Sequence, residues 1–435
     1  MCYAIPGKIK SIEGRTVTVD YFGEERRALN EIQNLTVGDY IYAQGGYVVQ
    51  RIAPDDAREI LDVWKETFFD LQDVDVRLSR IDLDRSNLSS KTGLILDLAL
   101  EGRTPKKEAL EYLLGLENEA ERNYLYKSAN FLRQKHLKNS CCVHGILEIS
   151  NFCRHGCHYC GISAHNKGVE RYRMSREEII EAVTEAVETY GFKALVLQSG
   201  EDPGYSVQEL CDIVREIRTR FGVLICVSFG EVGLAGLKEL YDAGARGLLM
   251  RFETSNAELY ASMHPGQTLA TRLEHLREAA RLGYLIFTGG LIGLPGQTRK
   301  DLVEDLLLAR ELGAEMFSYG PFLPHPDTPL GAHPAVSEAE VLNLLAVARL
   351  VDPTNAKILI TTAFETLSSN ARRLGLLAGA NSVMLNVTPV RYRQNYALYP
   401  NRHYRSEDIQ NQIEETIELL GSLGRAPTDL SVKAG

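Results

Sequence analysis

The 435-residue sequence contains no apolar run near the roughly 18 residues that a membrane-crossing helix needs. It has no excess of positive charge: 48 Lys and Arg against 58 Asp and Glu leave a net charge of −10. That balance argues against nucleic acid or an anionic membrane as a partner. The opening MCYAIPGK has no charged region followed by an apolar one, so it is not a secretory signal. These absences predict a cytoplasmic protein, where disulfides are rare and clustered cysteines more often bind metal. Cysteine itself is scarce, eight in all, yet three fall within CRHGCHYC at 153–160. Their spacing is C-x3-C-x2-C, and the fourth thiolate of a closed metal site is missing.

What is present is ordinary in composition and structured in order. Apolar residues make up 44% and charged residues 24%, as in a globular protein large enough for two or three domains. Residues 1–52 read as five short strands, IPGKIKSI, RTVTVDYF, ERRALNEI, DYIYA and GYVVQRI, split by turn signals such as Gly38-Asp39 and Gly45-Gly46. Five strands in so short a stretch predict a small OB-like β-barrel. DDAREILDVWKETFFDL (55–71) reads as a helix with Ile60, Leu61, Trp64, Phe68 and Leu71 on one face. Together these give a first domain over 1–75. Charge, Ser and Asn mark 73–90 as a linker, and 91–138 reads as two or three helices, so that 76–140 leads into a third region at 141–425.

In that third region, apolar β-rich segments alternate with helical ones. GILEISNF, ALVLQSGE, LICVSFG, RGLLMRFE, LIFTGGLIG, MFSYGPF, KILITTAFE and SVMLNVTP make eight strands. Eight strands and their helices over about 250 residues predict an α/β fold of the (β/α)8, TIM-barrel type. Their apolar bodies suit a parallel sheet covered on both faces.

Polar residues of such a barrel enzyme belong at the C-terminal strand ends. Cys153 follows strand 1, Ser199, Gly200 and Glu201 end strand 2, and Ser228 and Glu231 end strand 3. Arg251 and Glu253 end strand 4, GLPG (293–296) follows strand 5 and PHPDTP (324–329) follows strand 6. Thr361 and Thr362 end strand 7, and Asn386 ends strand 8. Singly, each is explained as a cap or turn. All eight ends together point to one large active site.

No other cysteine completes the trio. Cys142 precedes strand 1 and Cys153 follows it, which sets them roughly 25–30 Å apart. Cys211 lies on a helix, and Cys226 within strand 3 is read as packed core or as facing the barrel interior. Three thiolates suit a 4Fe–4S cubane with one iron left open for a ligand. His155 or His158 could instead complete a Cys3His zinc site.

C-x3-C-x2-C after the first strand of such a barrel resembles the radical SAM superfamily. Eight blocks in order, NFCRHGCHYCG, RYRMS, LVLQSGEDP, RFETSN, GLPGQT, GPFLPHPDTPL, TTAFET and NVTPVRYRQNYALYP, resemble the HydE family of FeFe-hydrogenase maturases over about 91–425. The resemblance implies one 4Fe–4S cluster on Cys153, Cys157 and Cys160. Its open iron chelates S-adenosylmethionine, and an electron from the cluster, which an electron donor as partner supplies, cleaves the sulfonium C–S bond to a 5′-deoxyadenosyl species. It further implies that Tyr159 packs near adenine and that Ser199, Gly200 and Glu201 meet the methionyl amino end. Arg251, Glu253 and Arg272 resemble the polar residues around ribose, sulfonium and carboxylate, with Ser228 beside them; Arg272, on a predicted helix, could also be a solvated face residue. Thr361, Thr362, Met384, Tyr396 and Tyr399 would line the substrate side, which in this family takes a small iron complex made by a partner enzyme. Met384 is more often core than contact. PNRHYRSEDIQNQ carries none of the cysteines that hold an accessory cluster in some relatives.

MCYAIPGK, VGDYIYAQGGYVVQRI and DAREILDVW resemble the HypC family of NiFe-hydrogenase assembly chaperones over about 1–75. The resemblance implies an iron unit held on Cys2, and a thiolate at a chain end suits a soft, low-valent iron. The alternative for Cys2 is a surface cysteine. One chain thus joins two families that handle iron with diatomic ligands, across a linker that would raise the carrier's effective concentration at the active site. Other hydrogenase maturation proteins are the expected partners. The competing readings are an amino-acid-skeleton mutase resembling methylornithine synthase, sulfur insertion as in biotin synthase, and a non-enzymatic iron-carrier chaperone, which leaves CRHGCHYC unexplained.

Overall fold

The computed structural model describes residues 5–82, 86–402 and 408–428. Cys2, the expected carrier ligand, lies outside the described residues.

Strands β1 (Gly7–Glu13), β2 (Thr16–Tyr21), β3 (Glu24–Leu29), β4 (Tyr40–Gln44) and β5 (Tyr47–Ile52) close into a barrel in the order β1-β2-β3-β5-β4. In β2, Val17, Val19 and Tyr21 are buried and alternate with partly exposed Thr16, Thr18 and Asp20. Period-two alternation sends one set inward, where it packs with Ile5, Ile9, Ile41, Val48 and Phe68. Helix α1 (Pro54–Leu78) follows, with Pro at its start and Asp55 and Asp56 in its first turn.

Helix α1 runs through text read above as the start of a linker. The cause is Asp75, only 1% exposed, whose Oδ1 lies 2.7 Å from Arg133 Nη2 and 3.0 Å from Arg425 Nε. A carboxylate between two guanidiniums can be buried, and this one ties the helix to the helix that carries Arg133 and to the C-terminal segment. Polar composition mimics a solvated linker when its charges are paired inside. Helices α2 (Ser90–Leu100), α3 (Lys107–Leu114) and α4 (Glu119–Leu137) then lead into the large barrel.

The large barrel comprises β6 (Cys142–Ser150), β7 (Ala194–Ser199), β8 (Leu224–Ser228), β9 (Gly247–Leu249), β10 (Leu285–Thr288), β12 (Met316–Phe317), β14 (Lys357–Ile360) and β15 (Ser382–Asn386), all parallel. Two expected strands are each split. Beyond β10 and β12 the chain breaks, and β11 (Leu291–Ile292) and β13 (Gly320–Pro321) pair as a separate two-stranded sheet. All nine residues of β6 are buried, as a strand covered on both faces must be. No helix of the described residues is long and apolar enough to cross a membrane.

The small barrel is not loosely tethered, contrary to what a flexible linker implied. It sits against the N-terminal strand ends of the large barrel. Glu31 takes Arg246 Nε on both carboxylate oxygens at 2.9 Å, with Arg218 at 3.4 Å. Tyr47 donates its hydroxyl to Gly283 O at 3.0 Å, and Lys193 Nζ donates to Gln50 Oε1 at 3.0 Å. The β4–β5 turn enters so closely that a Cβ on Gly45 would lie 2.6 Å from Leu285 Cδ1, at a φ of +55° that glycine adopts without strain. Lys193, Arg246 and Gly283 each lie just before a barrel strand. The cysteine loop, after β6, is at the opposite end.

Candidate active site

The loop after β6 carries Cys153, Cys157 and Cys160, all partly buried and none in a disulfide. Backbone carbonyls of this loop would splay without partners, and Arg171 supplies them. Its Nη1 donates to Asn151 O at 2.5 Å and Ile162 O at 2.8 Å, and its Nη2 to Ser163 O at 2.7 Å and Asn166 O at 3.1 Å. Asn151 anchors the loop start through Glu170 O and Asn395 O. Gly200 leaves room for the loop: a Cβ there would lie 2.2 Å from Phe152 O and 2.8 Å from Cys153 Cβ.

Burial pushes all three thiols up, Cys157 to about 12, with Cys153 adding to the shift at Cys157. The free protein therefore keeps them protonated, and ionisation accompanies metal binding. Among the described residues, no group of three or more His, Cys, Asp or Glu is placed to hold a single metal ion. A cubane differs, because each cysteine ligates its own iron and the sulfurs stand farther apart. His155 Nε2 is engaged by Glu201 Oε2 at 2.6 Å, which does not support the Cys3His zinc alternative. The donor set fits a three-cysteine cubane.

Glu201, at the end of β7, is the centre of the polar site. It takes His155, Arg154 Nη2 at 2.9 Å and the Glu231 amide at 2.9 Å, with Arg272 Nη2 at 3.8 Å. Burial opposes its ionisation, but the His155 and Glu231 hydrogen bonds and neighbouring positive charge bring the carboxyl down to about 2. Arg272 is not a solvated face residue. Its side chain is 13% exposed and donates from Nε to Glu231 Oε1 at 2.8 Å and from Nη2 to Gln267 Oε1 at 3.2 Å. Gln267 in turn donates to Cys157 Sγ at 3.6 Å.

Arg251 Nε donates to Glu253 Oε1 at 3.3 Å. Glu253 has φ of +67°, a left-handed backbone that non-glycine residues rarely hold outside functional sites. Its buried Oε2 faces Arg251 at 3.2 Å but makes no hydrogen bond, so a spare acceptor remains near the cysteine loop. Tyr159 is held by His264. Burial brings His264 down to about 4 and keeps it neutral. With Nδ1 donating to Tyr260 O at 2.9 Å, Nε2 is left to accept the Tyr159 hydroxyl at 3.0 Å. Ser199 donates to Gly200 O, and Ser228 accepts Gln198 Nε2 at 3.3 Å.

A second polar group is built on β6, the strand that leads into the cysteine loop. Glu148, fully buried on β6, pairs with Arg402 and accepts Asn386 Nδ2 at 3.0 Å. Arg402 also donates to Tyr396 O at 3.1 Å and bonds the Tyr399 hydroxyl. Thr361 caps the helix Thr362–Leu367 by accepting Phe364 N, and Met384 lies in the interior of the barrel. Glu148, Gln267, His264 and Arg402 escaped the sequence reading. Gln267 and His264 sit in a loop with no motif spacing, whereas a lone Glu inside the apolar strand GILEISNF was a usable signal.

Family models match three parts of the chain: the HupF/HypC family at residues 1–64, the radical SAM superfamily at 147–309, and the Biotin and Thiamin Synthesis associated domain at 318–425. The [FeFe] hydrogenase maturase subunit HydE of Thermotoga maritima is 38% identical over 328 residues, 75% of this chain and 93% of that protein. A 3-methylornithine synthase of Methanosarcina acetivorans is 28% identical, over 75% of this chain and 92% of that protein. Among solved structures, methylornithine synthase superposes with a TM-score of 0.66 at 25% identity, covering 77% of this chain and 98% of that one. The maturase HydG from Carboxydothermus hydrogenoformans gives a TM-score of 0.66 at 19% identity, covering 85% and 84%, and shares the fold.

Proposed function

The chain belongs to the HydE family of radical SAM enzymes with a HypC-like domain at its N-terminus, and from that premise we propose that it matures a hydrogenase iron–carbonyl/cyanide cofactor, carrying an iron unit on Cys2. The observation that carries this reading is the joining of the two families in one chain. An amino-acid mutase has no use for an iron carrier.

When bound, the cluster supplies the electron that breaks the sulfonium C–S bond of S-adenosylmethionine. Cys153, Cys157 and Cys160 would hold that one cluster. Glu253 and Arg251 offer an acceptor and a guanidinium to the cofactor, the latter matched to a carboxylate. Ser199, Gly200 and Ser228 would border the same cofactor, and Arg272 orients Glu231 and Gln267. Glu201 fixes His155 and Arg154, which in this reading positions the cysteine loop. Tyr159, locked by His264, would present its ring toward the adenine. Thr361, Thr362, Met384, Tyr396 and Tyr399 would face the iron-complex substrate, with Arg402 ordering the two tyrosines. An external electron donor and other maturation proteins are the partners.

Infrared spectroscopy of protein isolated without oxygen tests the reading. Carbonyl and cyanide bands are expected, and Cys2→Ala should abolish them while 5′-deoxyadenosine still forms. A wild-type protein that makes 5′-deoxyadenosine but never shows such bands would favour carbon-skeleton chemistry of the methylornithine synthase kind.

A further inference from the structure

Glu253 is held in a conformation that its own chain does not favour. A left-handed φ of +67° is unfavourable for any residue with a Cβ, and it persists only where the surroundings over-determine it. Here the surroundings are a closed circuit of hydrogen bonds. The Glu253 amide donates to Gly289 O at 3.1 Å, and the Glu253 carbonyl accepts the Leu291 amide at 2.9 Å. Leu291 O accepts Gln297 Nε2 at 3.0 Å, and the same nitrogen lies 3.4 Å from Asp305 Oδ2. Asp305 Oδ1 closes the circuit two residues beyond Glu253, where it accepts Ser255 N at 2.5 Å and Ser255 Oγ at 2.6 Å.

Each member of this circuit is fixed from outside it. Gly290 lets the two segments approach, since a Cβ there would lie 2.4 Å from Glu253 O. Gln297 Oε1 accepts Gly293 N at 2.8 Å and Leu294 N at 3.2 Å, so its amide cannot turn over without losing both. Asp305 is fully buried on the helix Arg299–Glu311, and its carbonyl accepts the Tyr319 hydroxyl at 2.7 Å. The side-chain partners and the amide that meet its carboxyl, from Thr254, Ser255 and Gln297, are all neutral. A carboxyl buried among neutral donors is costly to ionise, and an apolar residue in its place would avoid that cost. No apolar residue could join the loop after β9 to the loop after β11, which this one side chain does.

Resting on the cofactor site proposed above, we propose that Asp305 is a positioning residue for S-adenosylmethionine. It touches no cofactor. By joining the two loops it holds the Glu253 backbone in its left-handed turn, so that the unbonded carboxylate oxygen of Glu253 is presented to the cofactor. Released from the circuit, Glu253 would relax toward an ordinary φ, and its side chain would leave that direction.

Asp305→Asn tests this with little change of shape. Whichever way its amide lies, an N–H group is set against a donor, either Gln297 Nε2 or the Ser255 amide. Full-length protein loaded with its cluster is titrated with S-adenosylmethionine at pH 8, above the Asp305 value of about 7. Calorimetry gives the dissociation constant, and electron paramagnetic resonance of the reduced cluster reports the same binding. Asp305→Asn should raise that constant about tenfold with iron content unchanged. In a Glu253→Ala background, itself weaker in binding, adding Asp305→Asn should change it less than about twofold, because the residue through which Asp305 acts is gone. Equal weakening in both backgrounds is what a merely structural role gives, and it overturns the proposal, as does no weakening in either. Should Asp305→Asn fail to fold, as judged by its thermal midpoint, Ser255→Ala opens the same circuit and is read by the same cycle. Wild-type protein that binds no S-adenosylmethionine would overturn the cofactor site and the positioning role together, whereas wild-type binding with additive variants overturns the positioning role alone.

Discussion

Glu201 Oε2 and His155 Nε2 meet at 2.6 Å and join the end of β7 to the cysteine loop that follows β6. The same carboxylate holds Arg154 and faces Arg272. One side chain thus sets the loop's position relative to the barrel.

Glu201→Gln should therefore loosen the loop. The substitution keeps the shape but removes the charge that balances Arg154, His155 and Arg272, and breaking such a partly buried group costs about 3 kcal/mol. Anaerobic denaturation should register that loss, and iron should dissociate faster from the reconstituted variant. Unchanged stability together with unchanged iron retention would move Glu201 out of the loop's support.

Replacing Cys153, Cys157 and Cys160 together by Ala should remove all iron and sulfide, about four of each per chain in the reconstituted wild type. Chemical analysis and electron paramagnetic resonance give the count. A cluster that survives in the triple variant would reveal a second site.

Gln267→Leu tests the N–H donated to Cys157 Sγ at 3.6 Å. Hydrogen bonds to cluster sulfurs favour the reduced, more negative state. Removing this one should lower the reduction potential, measured by redox titration, with iron content unchanged. A potential equal to wild type would show that the amide does not act on the cluster.

Asp305 supplies a pH test away from the cysteines. It lies on the helix Arg299–Glu311, accepts Ser255 N at 2.5 Å and Ser255 Oγ at 2.6 Å, and takes Gln297 Nε2 at 3.4 Å on its other oxygen. Burial pushes its carboxyl up to about 7, with Asp301 adding to the rise and the Ser255 bonds opposing it. Between about pH 4 and 7 the folded chain keeps a proton that the unfolded chain has lost. Stability contributed by this group is therefore full below pH 4 and is lost as pH rises toward 7, by a few kcal/mol. Asp305→Asn carries no such proton, so its midpoint should fall less than that of wild type between pH 5 and 8. Parallel pH profiles would contradict this.

The sequence by itself determined the pieces that depend on local pattern. Alternation in TVTVDY and apolar runs such as ALVLQ specify strands because side-chain period and burial are local properties. C-x3-C-x2-C specifies a three-thiolate loop because its spacing is covalent, and the ordered blocks around it mark the family. Tertiary structure decided whatever depends on which charge meets which. Asp75 looked like linker until Arg133 and Arg425 closed on it, Arg272 could be read as a site residue or a solvated one until Glu231 claimed it, and His264 and Gln267 matter only through Tyr159 and Cys157. Above all, the placement of the small barrel beneath the large one rests on Glu31 meeting Arg246, residues 215 positions apart. No local pattern encodes such a pairing, because its energy arises only when folding brings the two charges out of water together.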